Sequence, residues 1–561
     1  MIIPFKQNEN GPWTSHPRPQ CKREHYYILN KGWTLNGYAI QLPFPPQSKL
    51  AEYEGDTPDK LTYLCPFTIP ASFQKQRILL HFGAVDQIAD IYVNDVFVGH
   101  NEGGYIPFTL DVTTVIRHDA ENELKILVTD DLCTDYPYGK QTKKPSGMWY
   151  TPVSGIWQNV WLENVPETYI TDIKIHSNLE HVEIELTYNS TEQRLDIFEV
   201  TVNLPDCDTD NQSLTTRFAG NKGIIDIPNP IHWTPDNPQL YSMTITAGED
   251  FVESYFAMRT IEIKNIDGIH RVCLNQEPIF MHGVLDQGYF HDGLFLPKEE
   301  AGYDKDILVL KELGFNMLRK HIKIEPDYFY YACDKLGMLV MQDMVNSGNY
   351  SFLQDTALPT IGFKKKKDLH LAPDNKRRQI FMEQMRLTIE HLYNHPCVIA
   401  YTIFNEGWGQ FDSDEMYDYS KALDSTRLID STSGWFAQNK NDFDSQHIYF
   451  RLKKLQPKNR PLFISECGGY KLLDKEHFFG NKEYGYGACK DSSDLTDRII
   501  EMYEKMIIPG IKDGVCGCVY TQLSDVEGEI NGLYTYDREI CKVNPKKMLS
   551  VAEKIKNTLK S

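Results

Sequence analysis

The sequence has little of what a membrane-bound or nucleic-acid-binding protein requires. Its apolar runs, such as residues 398–404, are strand-sized and fall well short of the roughly 20 residues that span a bilayer. The amino terminus lacks the basic region and apolar stretch of a secretion signal. Positive charge is in the minority, with 58 Lys and Arg against 78 Asp and Glu and a formal net charge of −20. Because this imbalance repels phosphate backbones and anionic lipids, neither nucleic acid nor a membrane is expected as a partner.

The motifs of several common chemistries are missing as well. Neither a glycine-rich phosphate loop nor a Gly-x-Ser-x-Gly elbow occurs. His391 and His395 have the spacing of a zinc-binding helix, but Leu392 stands where that motif needs a glutamate. We therefore expect neither a metal nor an organic cofactor. The 12 cysteines are scattered, mostly in or beside apolar segments where a reduced thiol packs as a small hydrophobe, which predicts a reducing, cytoplasmic location.

The chain is long enough for several domains, with 561 residues of which 41% are hydrophobic. Residues 1–165 contain short alternating strands and turn signals, such as Asn94-Asp95 between two apolar runs, and predict a β-sandwich. A second strand-rich stretch, 166–260, has the size of one immunoglobulin-like sandwich. From 261 to 561, compact apolar strands alternate with helical stretches, which is typical of parallel βα units.

This last segment predicts a (β/α)₈ barrel. Eight apolar strands can be identified, at 279–284, 316–320, 339–343, 398–405, 428–431, 445–449, 462–466 and 514–521. An open, doubly wound parallel sheet would show the same alternation. The barrel is preferred because no phosphate-binding glycine loop follows the first strand.

Two glutamates stand at the ends of predicted barrel strands. The apolar run 398–404 stops at Asn405-Glu406, and the run 462–465 stops at Glu466. In such a barrel the carboxyl ends of the strands converge on one mouth, where function resides. Two carboxyl groups there can cleave a glycoside, since one protonates the leaving oxygen and the other attacks or stabilises the anomeric carbon. Their separation, roughly 5–5.5 Å or 6.5–9.5 Å, distinguishes retention from inversion of configuration.

Several segments together resemble glycoside hydrolase family 2, which includes β-galactosidases, β-glucuronidases and β-mannosidases. Residues 149–163, Trp-Tyr-Thr-Pro-Val-Ser-Gly-Ile-Trp-Gln-Asn-Val-Trp-Leu-Glu, are similar to the segment that closes the first sandwich of that family. Further similarity lies at 91–94, 103–108, 319–321, 394–406 and 460–466. The resemblance implies a jelly-roll, sugar-binding-like first domain, an immunoglobulin-like second domain and a catalytic TIM barrel. It also implies a retaining, exo-acting mechanism with Glu406 as the acid/base and Glu466 as the nucleophile.

The resemblance suggests roles for further residues. Tyr449 matches the tyrosine that hydrogen-bonds the nucleophile, and Asn405 matches the residue that holds the sugar 2-hydroxyl. Arg319 is expected either to orient the nucleophile by charge-assisted bonds or to tie barrel strands together. The other candidate sugar-contacting residues, each of which has a structural role as its alternative, are His321, His395, Trp408, Trp435, Tyr520 and Asp286.

Departures from the family patterns bear on the substrate. Where β-glucuronidases carry Asn-x-Lys-Gly, residues 529–532 read Glu-Ile-Asn-Gly, and an acid in place of the cation disfavours a uronate carboxylate. Tyr520 and Asn159 replace a tryptophan and an aspartate of galactosidases. We therefore expect a carbohydrate substrate that is neutral and β-galactoside-like. A β-glucuronidase, a furanosidase and a catalytically silent carbohydrate-binding protein are the alternatives, and assembly into a homo-oligomer is left open.

Overall fold

The computed structural model describes residues 13–189, 196–205, 213–360, 362–363, 368, 374–449 and 452–561. The chain forms two β-sandwiches followed by a parallel eight-stranded barrel, so the predicted fold class is confirmed. The first twelve residues of the predicted domain 1–165 lie outside the described part. Within that part, no helix is both long and apolar enough to cross a membrane.

The first sandwich is built from strands whose side chains alternate between core and surface. Its strands are β1 (Tyr26–Ile28), β2 (Thr34–Leu35), β3 (Tyr38–Ala39), β4 (Lys60–Phe67), β5 (Arg77–Phe82), β6 (Val85–Asp86), β7 (Ile88–Val93), β8 (Val96–Glu102), β9 (Phe108–Asp111), β10 (Asn122–Thr129), β11 (Gly155–Ile156) and β12 (Val160–Val165). A four-stranded sheet, β1-β12-β5-β9, packs with a six-stranded sheet, β3-β2-β4-β10-β7-β8. In β10, Leu124, Ile126 and Val128 are buried while their neighbours are not, as a sheet with one solvated face requires.

The predicted turn at Asn94-Asp95 is present between β7 and β8. Both residues have left-handed backbone angles, with φ of 53° and 65°. A two-residue hairpin of type I′ needs positive φ at both positions, and Asn and Asp tolerate it better than most residues do. The turn therefore fixes the pairing of these two strands locally.

The second sandwich has a core of its own. Its strands are β13 (Ile170–Ser177), β14 (His181–Tyr188), β15 (Ile197–Asn203), β16 (Ser213–Ala219), β17 (Lys222–Asp226), β18 (Tyr241–Ala247) and β19 (Asp250–Phe256). They form sheets in the orders β13-β14-β17 and β16-β15-β18-β19. Alternate residues of β14, namely Val182, Ile184 and Leu186, point into this core. The immunoglobulin-like architecture predicted from the alternation is confirmed.

A small antiparallel sheet precedes the barrel. It consists of β20 (Ile261–Ile266), β21 (Ile269–Leu274) and β22 (Glu277–Pro278). Val272 and Leu274 of this sheet belong to the same apolar cluster as the barrel strands. The predicted barrel segment begins at residue 261, whereas its first barrel strand begins at Met281.

The barrel strands are almost completely buried. They are β23 (Met281–Asp286), β24 (Met317–Lys320), β25 (Leu339–Asp343), β26 (Val398–Asn405), β27 (Leu428–Ser433), β28 (Asp444–Ile448), β29 (Leu462–Cys467) and β30 (Val515–Tyr520). The α-helices between and after them are α1 (Ala301–Glu312), α2 (Asp327–Leu336), α3 (Leu358–Thr360), α4 (Asn375–Leu392), α5 (Ser413–Leu423), α6 (Ser492–Met502), α7 (Ile508–Ile511) and α8 (Pro545–Lys560). All eight residues of β26 are buried, which explains the continuous apolar run in the sequence.

The strand order closes the sheet on itself. β23 pairs in parallel with both β24 and β30, so the first and last strands are neighbours. Side chains join β27 to β28: Ser445 Oγ donates to Asp430 at 2.7 Å, and Ser433 Oγ lies 2.9 Å from His447 Nε2. The alternative of an open, doubly wound sheet is therefore wrong.

One buried arginine links the two sandwiches. Arg23 donates to Glu163 of β12 at 3.0 Å and to both carboxylate oxygens of Asp250, in β19, at 2.9 and 2.8 Å. All three side chains are almost wholly removed from solvent. Since a buried carboxylate without a cation is strongly disfavoured, docking of the two domains depends on this guanidinium.

We expect Arg23→Met to destabilise the protein by about 3–5 kcal/mol, because it leaves two buried carboxylates without their cation. The measurement is the midpoint of chemical unfolding relative to the wild-type protein. Arg217→Met is the matched control, since Arg217 pairs with Glu199 while 77% of its own side chain is exposed. An exposed pair contributes less than about 1 kcal/mol. Equal shifts of the unfolding midpoint in the two variants would contradict the role of Arg23 in docking the two sandwiches.

Candidate active site

Glu406 and Glu466 lie at the same end of the barrel. Asn405 is the last residue of β26, so Glu406 directly follows that strand, and Glu466 is the penultimate residue of β29. Both positions are at the carboxyl ends of parallel strands, where barrel enzymes place their functional groups. The structure thus brings together two carboxylates that are 60 positions apart in the sequence.

A single hydroxyl group bridges the two carboxylates. Tyr449 Oη lies within hydrogen-bonding distance of both carboxyl groups, 3.1 Å from Glu406 Oε1 and 2.7 Å from Glu466 Oε2. Because both oxygens contact the same hydroxyl, at 3.1 and 2.7 Å, the distance between them is at most about 6 Å. Tyr449 itself follows β28, the strand beside β29.

His447 is a further member of this site, which the sequence analysis did not identify. Its Nδ1 lies 2.8 Å from Glu406 Oε1, and its Nε2 lies 3.6 Å from Glu466 Oε1 and 2.9 Å from Ser433 Oγ. The ring is completely buried. Its position two residues before Tyr449, on the same face of β28, is the signal that could have indicated it.

Arg319 holds one side of the site together. Its guanidinium donates to Asp343 Oδ1 at 2.9 Å, to Asn405 Oδ1 at 3.0 Å, and to the Ser465 carbonyl oxygen and Glu466 Oε1 at 3.0 and 3.1 Å. These partners come from β25, β26 and β29. The same hydrogen bonds thus place Arg319 in contact with Glu466 and connect the three strands, which are the two alternatives that the sequence predicts for it.

His321 is oriented by the same aspartate. Its Nδ1 lies 2.7 Å from Asp343 Oδ2, while Asp343 Oδ1 accepts from Arg319. Burial lowers the pKa of His321, which favours the neutral imidazole. The aspartate therefore fixes both a guanidinium and an imidazole at the barrel mouth.

Glu406 has an unusual backbone and an unusual environment. Its φ is 53°, in the left-handed region that residues other than glycine seldom adopt. The strained backbone is held by hydrogen bonds, because the Glu406 amide donates to the Ser433 carbonyl oxygen at 3.0 Å and Trp435 Nε1 donates to the Glu406 carbonyl oxygen at 3.0 Å. Burial raises the pKa of the Glu406 carboxyl, although the charge of Lys140 and the Tyr449 hydroxyl act in the opposite direction.

Lys140 reaches this site from the first sandwich, on a loop that docks at the barrel mouth. In that loop the Tyr150 hydroxyl donates to Glu529, and the Thr151 amide donates to Glu527 Oε1 at 2.8 Å. Lys140 is close enough to the barrel residues to lower the pKa of Glu529 as well as that of Glu406, in each case against the larger effect of burial. Within the described residues no carboxylate forms an ion pair with Lys140, so its charge is available at the mouth.

Two predicted sugar contacts do not agree with the structure. His395 precedes β26, at the opposite end of the barrel from Glu406, and its Nδ1 lies 2.7 Å from Asp334 in α2. Its role is therefore structural. The ring of Tyr520 is wholly buried, and a Cβ atom on Gly468 would lie 2.5 Å from it, so the ring packs beneath the mouth and presents no face to a sugar.

Asp286 and Trp408 lie near the mouth but are occupied by other contacts. Asp286 is paired with Lys320 and accepts from the Gly288 amide at 2.8 Å, which places it in a separate buried ion network. Trp408 is buried, and its Nε1 donates to the Gly348 carbonyl oxygen at 2.8 Å. Both are thus held in structural contacts rather than directed at Glu406 and Glu466.

Comparisons with known proteins agree with this arrangement. A model described as "Glycosyl hydrolase 2 galactose-binding domain-like" matches residues 50–155, and one described as "Glycosyl hydrolases family 2" matches residues 168–259. A third, "Glycosyl hydrolases family 2, TIM barrel domain", matches residues 264–465. Together the three models cover more than half of the chain, in the order of its domains. The fold is therefore that of the glycosyl hydrolases whose models match the chain. The chain belongs to the glycosyl hydrolases of family 2.

Relatives and solved structures place the chain among distant members. It is 26% identical over 449 residues to a β-galactosidase of Thermoanaerobacter pseudethanolicus, covering 73% of this chain and 54% of that protein. It is 24% identical over 526 residues to a β-galactosidase of Priestia megaterium, covering 85% of this chain and 47% of that protein. The chain thus spans about half the length of these curated relatives. A solved β-D-glucuronidase of Dictyoglomus thermophilum has a TM-score of 0.73 at 18% identity, covering 96% of this chain and 98% of that one, and shares its fold.

We expect His447→Phe to lower kcat/KM by about 10- to 100-fold, because the buried Glu406 carboxyl loses a hydrogen-bond partner, which costs about 1–3 kcal/mol. The measurement is steady-state kinetics on a nitrophenyl glycoside, together with the unfolding midpoint. Ser433→Ala is the control, since it removes only the neutral bond to the far nitrogen and should cost less than about tenfold. Full activity in His447→Phe would show that the imidazole does not position the carboxylates.

Proposed function

We propose that the protein is a retaining exo-glycoside hydrolase that removes a terminal, non-reducing, neutral sugar by double displacement. The observation that carries the proposal is the Tyr449 hydroxyl shared by Glu406 and Glu466. The limit of about 6 Å that it sets is compatible with the roughly 5–5.5 Å of retaining enzymes and shorter than the 6.5–9.5 Å of inverting ones. This short separation supports retention of configuration over inversion.

The two carboxylates differ in ways that suit two roles. Burial raises the pKa of Glu406, which suits a group that must carry a proton to the leaving oxygen. Glu466 contacts the Arg319 guanidinium at 3.1 Å, which suits a group that attacks as an anion. In the first step a Glu466 oxygen bonds to the anomeric carbon while the bond to the leaving group breaks and the leaving oxygen takes the Glu406 proton. In the second, water gives its proton to Glu406 and its hydroxyl to the anomeric carbon, which releases Glu466.

Asn405 is placed to bind the sugar beside the reacting carbon. Its amide oxygen accepts from Arg319 at 3.0 Å, which orients the amide nitrogen as the donor that remains for a sugar hydroxyl. A hydrogen bond to the 2-hydroxyl can strengthen in the transition state and so contribute to the rate. His321 has its Nδ1 on Asp343, which leaves Nε2 as the second group for a sugar hydroxyl.

A neutral, β-galactoside-like sugar has the most support. Relatives that match 73% and 85% of the chain are named β-galactosidases. Glu529 is buried and hydrogen-bonded to Tyr150 and Asn531. Residues 529–532 therefore present a carboxyl group where the β-glucuronidase motif has a lysine, which disfavours a uronate. The cytoplasmic location is part of this proposal, and it is supported by the free thiols of the described cysteines. Assembly into a homo-oligomer stays a prediction.

We expect Glu466→Ala to abolish hydrolysis of nitrophenyl glycosides and azide to restore release of nitrophenol. Azide would enter the space left by the carboxylate and give a glycosyl azide of inverted anomeric configuration, which NMR identifies. An azide product of retained configuration would instead assign the nucleophile to Glu406. Glu483→Ala, an exposed glutamate in the loop after β29, is the control and should retain activity. If the wild-type protein releases nitrophenol from none of the nitrophenyl glycosides of galactose, glucose, mannose, glucuronate, fucose, arabinose and galactofuranose, the silent carbohydrate-binding alternative is favoured.

Lys140 favours a second candidate, the hydrolysis of an acidic sugar. Arg319, Lys320 and Lys323 at this end of the barrel each form ion pairs with buried carboxylates, so their charges are already used. Lys140 has no such partner among the described residues, and its charge acts on Glu406. A uronate carboxylate in the pocket would therefore meet a cation from the first sandwich.

We expect Lys140→Gln to separate the two candidates. If Lys140 binds a uronate, the ratio of kcat/KM for nitrophenyl β-glucuronide to that for nitrophenyl β-galactoside should fall by about 10- to 100-fold, as one lost bond between charged groups predicts. Lys143→Gln is the matched control from the same loop, since Lys143 is 57% exposed and paired with Asp59. An unchanged ratio would leave the neutral sugar as the substrate.

A further inference from the structure

A cleft of about 430 Å³ opens between the first sandwich and the barrel mouth. Three barrel loops line it, those that follow β23, β29 and β30, together with two loops of the sandwich. Its volume lies within the roughly 300–1,000 Å³ that small-molecule sites occupy. Since these barrel loops all leave from the carboxyl ends of strands, the cleft is on the same face of the barrel as the catalytic pair.

The walls of the cleft combine aromatic rings with polar groups. Phe479 is 41% exposed and has ring contacts with His291 at 5.3 Å and Tyr536 at 6.0 Å, while Trp149 lines the cleft from the sandwich. The polar side chains that line it include Gln47, Lys49, Asn481, Lys482, Asp292 and Glu527. Flat apolar rings surrounded by hydrogen-bonding groups match a sugar unit, which has apolar faces and a hydroxylated edge.

A row of tyrosines connects the cleft to the catalytic pair. The ring of Tyr449, which bonds both glutamates, lies 4.8 Å from that of Tyr486, and Tyr486 lies 6.2 Å from Tyr484. The Tyr484 amide donates to the carbonyl oxygen of Gly528, which lines the cleft, and its ring backs Gly147 on the opposite wall. A chain bound with its terminal sugar at Glu406 and Glu466 can therefore extend along this row into the cleft.

Trp149 forms the boundary between the two spaces. Its ring contacts that of Trp408 at 5.0 Å, and Trp408 follows Glu406 by two residues. Lys140, whose charge acts on Glu406, has its Nζ 5.9 Å from the centre of the Trp149 ring. A residue that lines the cleft thus lies directly beside the residues that surround the acid/base candidate.

We infer that the cleft is a binding site for the leaving group, and that the leaving group is an oligosaccharide rather than a small alcohol. The inference rests on the proposed hydrolase function and names the part of the substrate beyond the terminal sugar. In this reading the barrel mouth takes the terminal sugar, and Phe479 and Trp149 take the sugar units on the other side of the scissile bond. The enzyme then shortens oligosaccharides from their non-reducing end.

The test compares substrates that share a terminal sugar and differ in the leaving group. A glycosyl fluoride has a single atom as leaving group and cannot reach the cleft, whereas a trisaccharide places two sugar units beyond the scissile bond. In a double displacement, kcat/KM reports the steps up to departure of the leaving group, while hydrolysis of the glycosyl-enzyme is common to all substrates. The ratio of kcat/KM for the trisaccharide to that for the fluoride therefore measures the contribution of the cleft to binding of the leaving group.

We expect Phe479→Ala to lower this ratio by about tenfold. Phe251→Ala should leave kcat/KM for both substrates at the wild-type value. Phe251 is the matched control because it is 45% exposed, on β19 of the second sandwich and away from the cleft. An unchanged ratio in Phe479→Ala overturns the inference, and so does a wild-type enzyme that cleaves no trisaccharide of β1,3, β1,4 or β1,6 linkage while it cleaves the fluoride. Failure to cleave the fluorides of all the sugars tested would instead overturn the proposed hydrolase function.

Discussion

The buried guanidinium of Arg319 is the constraint on which the arrangement of the site depends. An unpaired cation in a protein interior costs several kcal/mol, so each donor of Arg319 must meet an acceptor. The acceptors are Asp343, Asn405, Glu466 and the Ser465 carbonyl oxygen, which belong to three different strands. A slip of any of these strands would leave a charge or a donor unpaired. The hydrogen bonds of Arg319 therefore fix the register of these barrel strands and the geometry of the site together.

The site is completed by a second domain. Several hydrogen bonds anchor the loop that carries Lys140 and Trp149 to the barrel, among them those from the Tyr150 hydroxyl to Glu529 and from the Thr151 amide to Glu527. Arg23 in turn binds Glu163 in the same sandwich and Asp250 in the next. The barrel supplies the two carboxylates at the ends of strands, while the sandwich supplies charge and aromatic surface on a loop. Substrate preference can thus change in the loop without disturbing the carboxylates.

The sequence was sufficient to predict the fold class and the position of Glu406 and Glu466, because a buried parallel strand appears as an apolar run and its end is marked by the first polar residues. It was misleading for His395, which stands before a strand rather than after it, and therefore lies at the other end of the barrel. Tyr520 stands at a strand end, yet its ring packs beside Gly468. Whether a side chain near a strand end reaches the site depends on its direction and packing, which the periodicity of the sequence does not indicate. Lys140 was missed because its proximity to Glu406 arises from the docking of two domains.

The two glutamates show how one barrel provides two chemically different carboxyl groups. Glu466 is continuous with its strand and contacts a guanidinium at 3.1 Å. Glu406 lies just beyond its strand, with a φ of 53°, and its direct partners are the Tyr449 hydroxyl and the His447 ring. A left-handed residue other than glycine costs about 1–3 kcal/mol, which the surrounding structure must offset. Here the Ser433 carbonyl and Trp435 hold the Glu406 backbone, and burial of the carboxyl raises its pKa. The strained turn after β26 therefore leaves the Glu406 carboxyl, whose pKa burial raises, within about 6 Å of the Glu466 side chain that contacts Arg319.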